Sequence, residues 1–418
     1  MRILYFSPRN FWPPNSGAPL RDYYLLRELA SRASVSFLGL SNHDEQLSLS
    51  QSTPNALDFE LDKFVIVNKG RSYTSWKLVR GLLGPTPVSV LNYHDRRVAT
   101  ELRRLLHEQT FDVVQMEGIH LISYLPILRS SRSHPLLVCD WHDVQSELML
   151  RYALYTENWA RRLYAMRTAS LLGTLERRLV AECDAHLVVS ERDRLKLREM
   201  TPKACVHVVE NGVEANHYSL VETQLAPGRL PGQSGERLKD IVFVGSMDSH
   251  ANIDAARYFA LEVWPRIRAQ SPELRFLIVG SRPVLEVREL ANLPGVTVTG
   301  TVEDVRPYYC GAFAAVAPLR IAGGTRLKIL EAMAAGVSVI STSVGAEGLA
   351  VNPGANILIA DTVEEMARVV WDLYNSHETQ KRLSRAGREL VRARYDWSVI
   401  GLSLYHVYRG LLHHQSNA

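Results

Sequence analysis

The sequence predicts an α/β protein made of two doubly wound, parallel-sheet domains and a C-terminal helix. Three observations predict it. Short apolar runs with the length of buried strands recur along the chain. Stretches with helical apolar spacing separate them, the pattern of β-α-β units. The alternation lapses once, over residues 219–238, and then begins again.

The elements follow in order. Ile3 to Phe6 suits a buried strand, and the turn-rich loop from Ser7 through Pro13-Pro14-Asn15-Ser16-Gly17 follows it. From Leu20 the spacing is helical, with Leu25, Leu26 and Leu29 on one side, and Val35 to Leu40 is a second strand. Val113 to Gln115, Leu136 to Cys139, His186 to Val189 and Val206 to Val209 continue the series, with a long helical stretch from about Gln145 to Glu182. Residues 219–238 hold Pro, Gly and Ser without a period and read as a linker. Ile241 to Val244, ending in Gly245-Ser246, opens the second series. Helical spacing over 254–269, then Phe276 to Val279, Val296 to Val298, Ala314 to Ala317, Val337 to Ile340 and Ile357 to Ile359 complete it. Residues 364–414 are mostly helical, broken near Tyr395-Asp396-Trp397. The expected domains are therefore 1–218 and 239–395, with the linker 219–238 between them and a last helix over 396–418. Neither opening strand is followed by GxGxxG, so the dinucleotide fingerprint is missing.

Composition narrows the function. With 48 Lys+Arg against 44 Asp+Glu the net charge is +4, too even to point to nucleic acid. Cys139, Cys183, Cys205 and Cys310 form no CxxC pair, so reduced thiols are expected in place of zinc or disulfides. No apolar run reaches the roughly 18 residues of a membrane span. The N-terminal apolar stretch stops at Pro8, too soon for a signal peptide, and a cytoplasmic protein is expected. No His-x-x-x-His, EF-hand loop or Asp-x-Asp at a strand end is visible, so neither a metal nor another cofactor is expected. Lys63 to Arg80 mixes cations with Tyr73 and Trp76, and Arg161, Arg162, Arg167, Arg177 and Arg178 add a second basic face. Both read as solvated loop or helix surface, with peripheral contact to an anionic membrane as the alternative.

The stretch from Ala314 to Leu349 is the richest in chemistry. It reads as strand, glycine loop, helix, strand and glycine loop. Gly323 and Gly324 allow a tight turn and close approach to a ligand, and Thr325 suits the N-cap. Arg326 and Lys328 then place cations at the positive end of a helix, a conflict that a bound phosphate or diphosphate relieves. Glu331 shares a face with Lys328, while Leu327, Leu330 and Ala334 form an apolar stripe. The competing reading is a surface helix with a Lys–Glu pair. His142 follows a buried strand at its carboxyl end, where α/β folds bind ligands. Glu117 occupies the equivalent place after Val113 to Gln115.

These segments resemble the retaining glycosyltransferases of family 4, also called glycosyl transferases group 1. GGTRLKILEAMAAGVSVISTSVGAEGL is similar to the family's donor-binding segment, whose LEAMA helix carries the second Glu of a Glu-seven residues-Glu motif. VGSMDSHANIDAARYF resembles the opening of the C-terminal domain, closest to exopolysaccharide-type transferases. GTVEDVRPYY resembles the segment near the nucleobase, ENGVEANHY the asparagine-glycine-valine signature, and LERRLVAECDAHLVVSERDR the elements before it. DWHDVQSE resembles the acceptor-side loop with its His. Together these segments span most of the chain.

The resemblance implies the GT-B fold: two Rossmann-like domains facing a cleft, with the last helix returning to the first domain. It implies transfer of a sugar from a nucleoside diphosphate donor, uridine by family frequency, with retention of configuration and without metal. His142, Arg326, Lys328 and Glu331 become the expected catalytic group, Glu331 holding the ribose and His142 the donor sugar. Gly17, Arg21, Glu117, Gly245, Ser246, Val302, Gly323, Gly324, Thr325 and Leu327 become expected substrate contacts. The partners implied are the nucleotide sugar and a carbohydrate, lipid-linked or small-molecule acceptor, with no nucleic acid. The chain departs from the pattern twice. Gly323 stands where the first motif Glu belongs, and after Gly245 no cation occurs until Arg257. Arg326 and Lys328 are expected to supply the missing charge. A GT-B nucleotide-sugar epimerase and a non-catalytic sugar-nucleotide binder are the alternatives.

Overall fold

The computed structural model describes residues 1–14, 17–41, 57–70, 73–156, 158–218, 239–321 and 326–416. The chain divides into two units, one of residues 1–210 with 400–418 and one of residues 211–399. The linker expected at 219–238 lies outside the described residues, as do Asn15, Ser16, Gly323, Gly324 and Thr325.

The first unit holds a seven-stranded sheet: β1 (Arg2–Ser7), β2 (Ser34–Ser41), β3 (Lys63–Asn68), β4 (Val113–Glu117), β5 (Leu136–Trp141), β6 (Ala185–Val188) and β7 (Val206–Val208). Their order is β3-β2-β1-β4-β5-β6-β7, all parallel. Its helices include α1 (Gly17–Ala30), α2 (Ser75–Leu83), α3 (Gln145–Tyr155) and α4 (Trp159–Glu182). The interior strands β1, β4 and β5 are buried from Ile3, Val113 and Leu136 to their ends because layers cover both faces of a parallel sheet, and their polar residues Ser7, Gln115, Glu117 and Asp140 lie toward the carboxyl ends. Leu4, Phe6, Val114, Met116, Leu137 and Cys139 build one core with the buried side of α4.

The edge strand β3 corrects the expected loop at the start of Lys63 to Arg80. Phe64 to Val67 form a four-residue apolar run comparable to Ile3 to Phe6, and they pair with β2 in register. The basic surface expected there is also broken. Lys63 pairs with Glu108 at 2.5 Å, and Lys69 is buried with its ammonium 3.9 Å from the Tyr93 ring centre.

The second unit holds β8 (Asp240–Val244), β9 (Arg275–Val279), β10 (Val296–Gly300), β11 (Ala312–Ala317), β12 (Ser338–Ser341) and β13 (Leu358–Ile359) in the order β10-β9-β8-β11-β12-β13, again parallel. Its site-bearing helices are α5 (His250–Tyr258) and α6 (Leu327–Ala334). Strand β8 shows the double coverage directly. Ile241 and Phe243 enter one core cluster, Val242 and Val244 the other.

Residues 211–218, assigned by sequence to the first domain, pack with the second unit. Val213 bridges to Asp396, the Ala215 N–H donates to Asp396 at 3.0 Å, and Tyr218 joins the core beside Tyr309. The last helix, α7 (Trp397–Ser416), belongs to the first unit from Ile400 onward. There the Tyr408 hydroxyl donates to Gln115 on β4.

Candidate functional site

In each sheet the chain reverses its order of addition once, between β1 and β4 and between β8 and β11. The carboxyl ends of strands at such a switch leave a crevice where α/β folds bind ligands. Each unit gathers its polar residues there.

In the first unit, β1 ends at Ser7, β4 ends at Glu117, and His142 follows β5. The His142 Nε2 lies 2.7 Å from Glu117 Oε2 and 3.9 Å from Asp22 Oδ1. Asp22, on α1, accepts from the Tyr5 hydroxyl at 3.1 Å and the Ser7 hydroxyl at 2.9 Å, with Arg9 at 3.5 Å. Gln115 Nε2 donates to Glu117 at 2.6 Å and to Asp140 at 3.3 Å. Burial raises the pKa of Asp22 to about 6, helped by the Glu117 charge. It also raises Glu117 and Asp140, against the opposing pull of Arg21. Burial lowers His142 while the Asp140 and Asp22 charges resist. The ring is therefore neutral near pH 7. Its Nε2–H donates to the Glu117 carboxylate, which leaves Nδ1 as the remaining polar atom, an acceptor.

Arg21 is the clear correction. It does not reach for substrate. It is fully buried, with Nε and Nη2 each 3.0 Å from the two oxygens of Asp140 and Nη1 donating to the Glu210 carbonyl at 3.0 Å. It is a structural bidentate pair that ties α1 to β5. Glu117 is likewise buried and serves His142, so its expected substrate contact becomes a positioning role. Gly17, exposed at the first position of α1, has open space where a side chain would be. Glu176, from the middle of α4, accepts from the Ser146 N–H at 3.0 Å and from its hydroxyl. It thereby caps α3 and fixes the segment that follows His142.

Asp22, Glu117 and His142 are the group among the described residues that could hold a metal ion, with candidate ligand atoms within 4.8 Å of one another. Their atoms are engaged by Tyr5, Ser7, Arg9 and Gln115, so the set works as a hydrogen-bond network.

In the second unit, α6 is preceded by Arg326 at the N-cap, where Thr325 was expected, and no side-chain cap bond is formed. Arg326 is buried with its Nη2 3.4 Å from the Val344 carbonyl. Lys328 is partly exposed as a residue, and its ammonium is set among Asn252, Phe243 and Gly245. It donates to Asn252 Oδ1 at 2.6 Å, lies 4.3 Å from the Phe243 ring centre, and would be 3.0 Å from a Cβ at Gly245. Burial lowers its pKa to about 7, with Glu331 opposing and Arg326 assisting. Glu331 is raised by burial and lowered by Lys328, and the Tyr309 hydroxyl sits 3.4 Å from its Oε2. Tyr218 also hydrogen-bonds Glu331. Leu327 and Val302 are partly buried and pack on the core cluster of that face.

The loop after β8 is held tightly. A Cβ at Gly280, whose φ is +147°, would fall 1.8 Å from the Gly245 carbonyl oxygen, so only glycine fits. Ser246 donates to Asp248 at 2.8 Å and lies 3.1 Å from the Ser281 hydroxyl. Sequence reading missed a cation here. Arg282, from the loop after β9, donates to Ser246 at 3.0 Å and pairs with Asp248 at 2.8 Å. Asn252, Tyr309 and Asp22 were missed as well. Asn252 and Tyr309 lay inside quoted motifs, and Asp22 adjoins Arg21, but only folding brings them to their partners.

Comparison with known proteins gives consistent matches. Residues 23–212 match the family model described as glycosyl transferase 4-like domain, and residues 238–376 match the one described as glycosyl transferases group 1. A GDP-mannose-dependent alpha-(1-6)-phosphatidylinositol monomannoside mannosyltransferase of Mycobacterium tuberculosis is 31% identical over 161 residues, 35% of this chain and 42% of that protein. The matched region is less than half the length of the curated relatives. Among solved structures, the sucrose-phosphate synthase of Thermosynechococcus elongatus superposes with a TM-score of 0.67 at 18% identity, covering 99% of this chain and 100% of that one. Anabaena HepE in complex with UDP and glucose gives 0.62 at 13% identity, covering 97% and 98%.

Proposed function

Because the chain belongs to the glycosyl transferases group 1 family and has the GT-B fold, we propose that it transfers a sugar from a nucleoside diphosphate donor to an acceptor hydroxyl. We propose further that the transfer retains anomeric configuration and uses no metal ion. The observation that carries the reading is the ammonium of Lys328. It reaches from α6 to the loop after β8, beside Gly245 and Asn252. The family places its cations in that loop, and this sequence lacks them there. A cation with a neutral hydrogen-bond partner and a half-lost proton is poised for an anion.

In this reading Lys328 and Arg326 stabilise the charge that develops on the leaving diphosphate. Glu331, with Tyr309 behind it, accepts from the ribose hydroxyls. His142 Nδ1 accepts from a hydroxyl of the donor sugar, held in orientation by Glu117. The acceptor hydroxyl attacks the anomeric carbon from the face the diphosphate leaves; as the bond from that carbon to the phosphate oxygen breaks, the hydroxyl proton passes to that oxygen, so no enzyme nucleophile is needed. Uridine is our first choice of base, in line with the UDP in the HepE complex. Guanosine is the rival, from the name of the mycobacterial relative. A carbohydrate, a lipid-linked sugar or a small molecule serves as acceptor. The four cysteines, none of them in a disulfide, fit a reducing compartment, which supports a cytoplasmic site of action.

A thermal-shift panel of UDP, GDP, dTDP and ADP with their sugar conjugates, in EDTA, tests this. A ligand at a hundred times its Kd adds about 2.7 kcal/mol to the folded state. One base should raise the melting temperature, and Lys328→Ala should abolish the rise. No shift from any nucleotide, or an equal shift in the variant, overturns the reading.

A further inference from the structure

Arg282 stands where the backbone favours glycine. Its φ is +51°, one of three positive values among the described non-glycine residues, and it precedes Pro283. A side chain is disfavoured in the left-handed region, and a residue before proline is pushed toward extended backbone. Hydrogen bonds on either side hold it there. The Met247 N–H donates to the Ser281 carbonyl at 2.8 Å, and the Val284 N–H donates to the Met247 carbonyl at 3.3 Å. With Gly280 closed against Gly245, these bonds lace the loops after β8 and β9 together. The lacing explains the backbone conformation. It does not explain an arginine, because glycine would adopt the same conformation without strain.

The side chain supplies the reason. It is 70% exposed, yet it lies across the neighbouring loop, with Nη2 donating to Ser246 at 3.0 Å and Nε 2.8 Å from Asp248 Oδ2. Ser246 directly follows Gly245, the residue that the Lys328 ammonium approaches from α6. The loop after β8 carries no cation of its own before Arg257. It therefore receives one cation from α6 and another from the loop after β9. A guanidinium presents a planar fork of N–H donors that fits phosphate oxygens. Its pair with Asp248 is exposed, and an exposed ion pair is too weak to offset a strained backbone or to resist exchange for a phosphate.

We propose that Arg282 binds the donor diphosphate, exchanging Asp248 for a phosphate oxygen, and that its strained backbone serves to aim it there. The proposal rests on the donor reading given above. The test is calorimetry of the full chain with UDP and with GDP at ~50 and ~500 mM salt. The nucleotide that binds wild type should bind Arg282→Gly and Arg282→Ala about tenfold more weakly, and the ratio should hold at both salt concentrations because the contact is direct. Asp248→Asn removes the competing carboxylate and should tighten binding by about two- to fivefold. Arg282→Gly should melt a few degrees above Arg282→Ala, because only glycine relieves the strain. The proposal is overturned if Arg282→Gly binds like wild type, or if its loss vanishes at high salt. It is overturned equally if Asp248→Asn weakens binding as much as Arg282→Gly, since the pair then only shapes the loop. Lys328→Ala separates this claim from the donor reading. Binding lost in Lys328→Ala but kept in Arg282→Gly refutes the role of Arg282 alone, whereas a wild type that binds neither nucleotide refutes both.

Discussion

Lys328 should make donor affinity depend on pH in a way a surface lysine would not. Burial holds its ammonium near a pKa of about 7 in the free protein. A diphosphate oxygen at hydrogen-bond distance contributes about 5 kcal/mol per charge at an effective dielectric of 20. That is roughly four pKa units, enough to restore the proton across the accessible range. Binding therefore takes up a proton above pH 7, and Kd grows as about 1 + 10^(pH − 7). The factor is about 2 at pH 7 and about 100 at pH 9, so affinity should fall roughly 50-fold between them. The assay is titration calorimetry with an intact nucleotide sugar, whose diphosphate does not titrate in this range, in buffers of differing ionisation enthalpy. Buffer-dependent heats at pH 8 should report close to one proton taken up. Lys328→Met should bind more weakly at pH 7 and show a flat profile. A flat wild-type profile, or the same slope in Lys328→Met, would refute the placement of the diphosphate on this ammonium.

Three further outcomes follow from the first unit. Glu117→Gln should lower kcat by about 10- to 100-fold, the size typical of partners that orient a functional His, with the Kd of the free nucleoside diphosphate unchanged by calorimetry, because the His142 contact is to the sugar. Arg21→Ala should cost about 3–5 kcal/mol in urea unfolding, because Asp140 is left buried without its bidentate partner. Asp22 titrates near 6 when folded, above its ordinary value of 3.8, so its charged form burdens the fold above pH 6 and the burden lifts as pH falls. Wild type should accordingly gain about 1 kcal/mol over Asp22→Asn between pH 7 and pH 5; an unchanged difference would show that Asp22 is not held in its neutral form.

The fold was legible where strands are covered on both faces. Ile241 to Val244 and Ala314 to Ala317 are apolar without interruption, and a chain of such runs admits few architectures. Strand β3 holds a comparable run, Phe64 to Val67, but it opens on Lys63 and leads directly into the cation-rich stretch to Arg80, and as a partly exposed edge strand it was absorbed into that surface segment. The site was legible as positions but not as partnerships. His142 and Gly245 stand out because each follows a buried strand. Nothing local shows that Lys328 would meet Asn252, 76 residues away, or that Arg21 would be consumed by Asp140, 119 residues away. Arg21 illustrates the general risk. A cation one turn into a helix after a ligand loop looks available, and whether it faces a ligand or a buried acid depends on which strand end arrives opposite. The boundary at 211–218 failed for a related reason, since Val213 and Tyr218 find their apolar partners only in the second unit.

Transfer with retention, as we propose it, can be observed at the donor itself. Proton NMR of an α-linked nucleotide sugar incubated with the full chain, EDTA and a polar-lipid and oligosaccharide extract follows the donor's anomeric proton directly. Free nucleoside diphosphate and a new α-anomeric signal are expected in equal amounts. A nucleotide sugar converted to its epimer without release of diphosphate, or a β-configured product, would contradict it.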